Sequence, residues 1–297
     1  AAVKTPYLIL GAAFILVAIL FKVSSLPNHI QAEEETNENA GTKEGSKSVL
    51  SYPQLWMGMI AIFLYVGVEV STASNLPEFM KQYLGTKTED IAPYVSLFWA
   101  SLMIGRWTGA VEALGLSEGA QKIMKFIMPY IAFGVFLLAS YLAGKDLQPF
   151  YVYAFVILLL IGADFASKGN PATMLLIFSG LGIAALAIGM ATSGMVSVYA
   201  FTSVGLFCST LWPCIFTLAV SGLGKNTSQG SSFLIMMIMG GGVISWLQGY
   251  VSESIGIQAS YIIGVLCFAY LAFYAWKVSG ILKKQGINFD KKLSGGH

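Results

Sequence analysis

Hydrophobic and polar residues are sorted along this chain into long apolar runs separated by brief polar ones. An apolar run of about 17–25 residues is what an α-helix needs to cross the hydrocarbon layer of a bilayer. Such runs at 6–23, 53–76, 92–112, 122–144, 149–166, 171–191, 195–221, 229–251 and 259–279 predict nine spanning helices. The segment 149–166 is short and carries Asp164, which makes it the weakest of the nine. Most connections are brief, so neighbouring helices must alternate in direction. The exception is 24–52, where Glu33, Glu34, Glu35 and Glu38 precede a Gly-, Ser-, Thr- and Lys-rich stretch. That composition suits a flexible connection between two bundles.

Composition agrees with the pattern. The 297 residues are 56% hydrophobic and only 11% charged, where a soluble domain carries roughly 25%. The chain reads as an integral membrane protein. A net charge of +2 with no basic run leaves no footprint for nucleic acid. Ala1 to Lys22 has no small-residue cleavage site before the acidic stretch, so it reads as a spanning helix of a chain whose beginning is missing. The distribution of lysine and arginine sets the orientation. With 24–52 in the cytoplasm, thirteen basic residues fall inside and four (Lys4, Lys81, Lys87, Lys145) outside, which also puts the tail after 279 in the cytoplasm.

Much chemistry is missing. His29 lies in the linker and His297 ends the chain, so no histidine sits in a span to hold a metal or serve a Ser–His or Cys–His pair. Cys208, Cys214 and Cys267 all fall in apolar segments and behave as small hydrophobes. Gly224-Lys225-Asn226 fails as a phosphate loop on both flanks, and Gly180-Leu-Gly182-Ile-Ala-Ala185 has no strand before it. Asn226-Thr227-Ser228 is a glycosylation sequon on the wrong side of the membrane. The expectation is no metal, no cofactor and no enzyme.

The polar residues inside the spans therefore carry the interest. Glu69, beside Gly67, Ser71, Thr72, Ser74 and Asn75, lies in a run that Pro77 ends. A carboxylate at the bilayer centre costs about 2.5–3.5 kcal/mol on the insertion scale, and such groups normally face a protein interior or a water-filled cavity. Polar groups gathered before a proline predict a helix that loosens there. Glu69 is either a functional carboxylate or a structural one paired with Arg106 or the backbone. Arg106, the only arginine, follows Gly105 and precedes Glu112 and Glu118. It either anchors the inner face or pairs with acids and helix C-termini there as part of a gate. Gly105 and Gly109 form a small-xxx-small pair for close helix packing, and Gly240, Gly241 and Gly242 do the same or leave room for a ligand. In the seventh span Ser209, Thr210, Trp212 and Pro213 come together; the proline bends the helix and frees a carbonyl. Trp212 offers a stacking face for a sugar ring and Thr210 a hydroxyl. Gln248, near the outer end of the eighth span, is a further candidate contact or a plain interfacial amide. Met236, Met237 and Met239 read as flexible core packing.

These residues carry a resemblance. Tyr65-Val-Gly-Val-Glu69-Val-Ser-Thr-Ala-Ser-Asn75 resembles helix seven of the fucose/proton symporter branch, glucose/galactose type, of the major facilitator superfamily. Leu211-Trp-Pro-Cys-Ile-Phe-Thr-Leu-Ala-Val220, with Gly222-Leu-Gly-Lys-Asn-Thr-Ser-Gln-Gly-Ser-Ser232 and the glycine triplet, resembles that branch's helix ten, the loop after it and helix eleven. Gly105-Arg-Trp-Thr-Gly109 is similar to a shorter basic motif generic to the superfamily.

The resemblance implies an all-α polytopic protein: the C-terminal six-helix half of a major facilitator fold, the helix preceding it, and an inserted helical hairpin. Residues 1–23 would be the last helix of the N-terminal half, 24–52 the cytoplasmic linker between bundles, 53–279 the C-terminal bundle with 122–166 as the hairpin, and 280–297 a cytoplasmic tail. It implies a secondary active transporter in the cell's inner (plasma) membrane, taking up a hexose such as glucose, galactose or fucose with a proton by alternating access. Its partners would be the sugar, the proton, the lipid bilayer and the missing N-terminal half. Glu69, Asn75, Thr210, Trp212 and Gln248 would line the sugar site; Arg106, Gly105 and Gly109 would serve the gate. The family's main proton-coupling carboxylates lie in the absent half, so Glu69 falls to the sugar first and the proton second. The alternative is a facilitator-type exporter of hydrophobic compounds.

Overall fold

The computed structural model describes residues 11, 12, 15–17, 19, 20 and 48–289, and these fall into two compact units divided after Lys47. In the first unit the described residues are helical. Most of the predicted span 6–23, the linker up to 47 with His29, and 290–297 with His297 lie outside the described residues.

The second unit is helical throughout. Its elements are α1 (Pro53–Leu84), α2 (Thr88–Ala110), α3 (Glu118–Leu142), α4 (Tyr153–Ser167), α5 (Pro171–Ala191), α6 (Gly194–Cys208), α7 (Leu211–Val220), α8 (Thr227–Met236), α9 (Gly240–Ile255), α10 (Ile257–Ser260) and α11 (Ile262–Lys284). Single 3-10 turns lie at Val49–Ser51, Val111–Leu114, Gln148–Phe150, Gly224–Asn226 and Met237–Met239. All eight apolar segments predicted from 53 to 279 are helical. Among the described residues seven stretches are long and apolar enough to cross a membrane. The remaining one, α2, has spanning length but carries Glu89, Asp90 and Arg106.

Three segments depart from the sequence expectation. First, the helix predicted to loosen at Pro77 runs unbroken to Leu84. Pro77 removes one donor from the ladder, yet the turn beyond it is held by packing. Phe79 is fully buried, stacked on Tyr83 at 5.2 Å and edge-on to Phe201 at 5.1 Å. The helix stops instead at Gly85, whose left-handed backbone (φ 63°) turns its N–H back to the carbonyls of Lys81 and Met80. Second, the segment 195–221, read as one span that Pro213 bends, is interrupted outright and forms two helices, α6 and α7. The break falls at Ser209, the residue four before Pro213, whose carbonyl the proline cannot satisfy. The Ser209 hydroxyl bonds back to the Leu206 carbonyl at 2.6 Å and closes the turn. Third, 229–251 divides into α8 and α9 at the 3-10 turn just before the glycine triplet. Met236 and Met239, expected in the core, lie on the exposed surface of this break. An exposed apolar side chain suits a lipid-facing helix as well as a buried one, so apolarity alone could not place them.

α1 is the central helix, packed against α9, α11, α7, α6 and α2. Close approach depends on missing side chains. A Cβ on Gly240 would lie 2.0 Å from the Phe63 carbonyl oxygen, and one on Gly67 would lie 2.5 Å from Ile244. Gly241 faces Val66 and Val70 on the same seam. The glycine triplet therefore serves helix packing, with Gly242 turned to open space.

The helix ends on the side that the lysine distribution assigns to the cytoplasm are tied by amides. Gln54 is fully buried, and its Nε2 donates to the Ser221 carbonyl at 3.1 Å and to Gln285 Oε1 at 3.2 Å. Gln285 returns a bond from its own Nε2 to Gln54 Oε1 at 3.1 Å. The start of α1 and the ends of α7 and α11 are joined at one point. On the opposite side Gln258 Nε2 donates to the carbonyls of Gly189 and Thr192, closing the C-terminus of α5.

Candidate functional site

The site is built on one face of α1. Tyr65 and Glu69 are one helical turn apart and share a face, and the Tyr65 hydroxyl donates to Glu69 Oε2. The same carboxylate oxygen lies 4.0 Å from Arg106 Nη2 on α2, with Glu69 12% exposed and Arg106 56% exposed. On the other side of Tyr65 the Trp212 ring stands tilted at 58°, centroids 6.1 Å apart. Helix register explains this meeting. At 1.5 Å per residue, Glu69 lies about 22 Å from the outer end of α1, and Arg106 and Trp212 about 27 Å from the outer ends of their segments. The remaining 5 Å is within the reach of an arginine side chain.

Thr210 occupies the same layer at the α6–α7 break. Its side chain is buried, and its hydroxyl has no hydrogen-bond partner among the described residues. Asn75 is nearly three turns closer to the outer end of α1 than Tyr65, roughly 14 Å from that end, and its Nδ2 is spent on the Ser71 carbonyl of its own helix at 2.8 Å. Gln248 is fully buried about 10 Å from the outer end of α9. Its Nε2 donates to Ser260 Oγ at 3.3 Å while its Oε1 has no partner among the described residues. The structure thus brings Glu69, Arg106, Trp212 and Thr210 into one layer and leaves Asn75 and Gln248 in another.

The gate residues divide similarly. Gly105 lets α2 sit against the α6–α7 break, because a Cβ there would lie 1.7 Å from Ser209 Oγ. Gly109 has no neighbouring atom within 4 Å of such a Cβ, so the small-xxx-small pair is used at one end only. Arg106 takes Glu69 as its partner. Glu112, expected as a partner for Arg106, is taken by Lys125 at 2.6 Å.

Tyr65 is the participant that sequence reasoning passed over, although it stands four residues before Glu69 in the quoted motif. A phenol at that spacing from a buried acid is the signal that was available. Its removal is separable from its ring. Tyr65→Phe keeps the contact with Trp212 and strips the carboxylate of its best donor, with an expected loss of about 1–3 kcal/mol. A lowered thermal midpoint of the detergent-purified protein is the readout, and an unchanged midpoint would remove Tyr65 from the account.

Helices of spanning length packed around a buried, partnered carboxylate define a multi-pass membrane protein. No protein-family model matches the chain. The glucose/galactose transporter of Brucella abortus (biovar 1, strain 9-941) is 31% identical over 275 residues, which is 92% of this chain and 53% of that protein. The L-fucose-proton symporter of Escherichia coli K12 is 27% identical over 276 residues, 92% of this chain and 51% of the symporter. The crystal structure of FucP, a major facilitator superfamily transporter in the outward conformation, superposes with a TM-score of 0.62 at 24% identity, over 93% of this chain and 55% of FucP. The chain is a homologue of these transporters, which are not enzymes, and it has the fold of the major facilitator superfamily over about half of that fold. It spans about half the length of the curated relatives it matches.

Proposed function

We propose that this chain is the C-terminal part of a secondary active transporter that takes up a hexose, such as glucose, galactose or fucose, together with a proton. In this reading 1–23 is the last helix of the first bundle, 24–52 the linker, 53–279 the second bundle, 122–166 an inserted hairpin and 280–297 the tail. The complete protein would sit in the cell's inner (plasma) membrane, with the sugar bound between two rocking halves. The single observation that carries the reading is the layer of Glu69, Tyr65, Arg106 and Trp212. A carboxylate accepting from sugar hydroxyls makes charge-assisted bonds, stronger than neutral ones. An indole beside it offers an apolar face to the ring. The relatives named for glucose, galactose and fucose supply the substrate class, and those named for fucose and proton symport supply the coupling ion.

Glu69 also has the setting for a proton-sensitive contact. A charged carboxylate attracts Arg106, and a protonated one does not, so proton arrival at Glu69 would release the α1–α2 contact. The main proton carrier is assigned to the first half, and Glu69 acts on the sugar first.

The test uses the full-length protein in vesicles with an imposed proton gradient. Uptake of labelled hexose that collapses with the gradient supports the reading. Accumulation of lipophilic cations without hexose uptake would overturn it in favour of export of hydrophobic compounds.

A further inference from the structure

A second ionic cluster lies at the inner end of the bundle, apart from the candidate sugar site. Lys125 on α3 contacts Glu112 Oε1 at 2.6 Å and Asp164 Oδ2, on α4, at 3.1 Å. The Lys125 side chain is 11% exposed and that of Asp164 5%. Ions so enclosed persist only when each satisfies the other. The cluster ties three elements together: α3, α4 and the 3-10 turn Val111–Leu114 that continues α2 without interruption.

Two further contacts place the α3–α4 pair against the gate. A Cβ on Gly105, the residue beside Arg106, would lie 3.3 Å from Leu160 Cδ1 of α4. Higher up, the fully buried Tyr153 shares a 2.7 Å hydrogen bond with Ser101 of α2. α2 is therefore held by this helix pair at three levels, one on each side of Arg106 and one beside it. Ser101 and Gly105 are four residues apart, and Glu112 follows two turns later, so the three contacts fix both the rotation and the tilt of α2.

We propose that Lys125 is a positioning residue for Arg106: by fastening the inner end of α2 to the α3–α4 pair, it sets the reach of Arg106 to Glu69. The rate consequence rests on the transport reading above, whereas the geometric consequence does not.

Lys125→Met alone would leave Asp164 buried and uncompensated and would endanger folding. The decisive variant is the double change Lys125→Met with Asp164→Asn, which removes the ion pair without orphaning a buried charge; Lys125→Arg serves as the charge-keeping control. Spin labels on Leu50 and Leu114, both about half exposed, report the separation of the inner ends of α1 and α2 without any substrate; the native cysteines are buried. The expected result is one narrow distance in the unsubstituted and Lys125→Arg proteins and a distribution broadened by several ångströms in the double variant. In full-length protein the maximal uptake rate of the double variant should fall about tenfold with KM held within about twofold, as for loss of alignment rather than of binding. An unchanged narrow distance in the double variant overturns the proposal. Absence of hexose uptake in the unsubstituted protein would overturn the transport reading and leave the distance result standing.

Discussion

Glu69→Gln in the full-length protein is expected to cut hexose uptake severely while membrane insertion stays at its normal level. The two parts of that expectation come from different physics. Insertion should not suffer, because a neutral amide is easier to place in the membrane than a carboxylate. Local packing should also hold: the Tyr65 hydroxyl can donate to an amide oxygen as it does to the acid. Arg106 loses its partner, but more than half of its side chain is exposed, so the stranded charge remains solvated. What disappears is the charge-assisted character of each bond to a sugar hydroxyl. Such bonds are worth about 1.5–3 kcal/mol against about 0.5–1.5 for neutral ones. With two hydroxyls engaged, the difference amounts to about tenfold or more in uptake efficiency, since about 1.4 kcal/mol is a factor of ten. Initial-rate uptake in vesicles, normalised to inserted protein, measures it. Unchanged kinetics would take Glu69 out of the substrate site.

The second large effect is one of packing, and it separates three residues that look identical in sequence. Gly240→Val should prevent the bundle from assembling, because the new side chain meets the Phe63 carbonyl, a backbone atom that cannot rotate away. Overpacking ordinarily costs about 1–3 kcal/mol when side chains can adjust; against backbone the cost should exceed that range. Gly241→Val meets the side chains of Val70 and Val66 at 3.1 and 3.2 Å, a milder contact than with backbone, and should fall within it. Gly242→Val points to open space and should be close to neutral. Yields of monodisperse protein in detergent across the three variants test the order, and equal behaviour of Gly240→Val and Gly242→Val would contradict the α1–α9 seam.

The fold was legible in the sequence to the extent that apolar run length and turn chemistry decide it. Every apolar segment from 53 onward is helical, and Pro213 marked the α6–α7 break through the carbonyl four residues before it. Pro77 misled because the ladder bond it removes was outweighed by the burial of Phe79 and the ring contacts around it, which sequence spacing does not show. The site was half legible. A buried acid in an apolar run announces itself, and its contact with Arg106 was among the readings open from the start. The layer at which side chains meet is set by helix offsets, and these separate Gln248 and Asn75 from Glu69, although the resemblance implies one site for all three. Lys125 and Asp164 lie 39 residues apart on different helices, and only the folded chain joins them.

The amide ring of Gln54 and Gln285 has a bearing on how the bundle senses its surroundings. An uncharged fastening is indifferent to ionic strength and to acidity, whereas ionic contacts near the surface weaken as salt rises. The inner ends of α1, α7 and α11 are thus fastened without charge, and Glu69, Glu112 and Asp164 hold the ionic contacts that can register a change in the medium. Protonation would act on the contacts of Glu69, Glu112 and Asp164 and leave the Gln54–Gln285 fastening as it is.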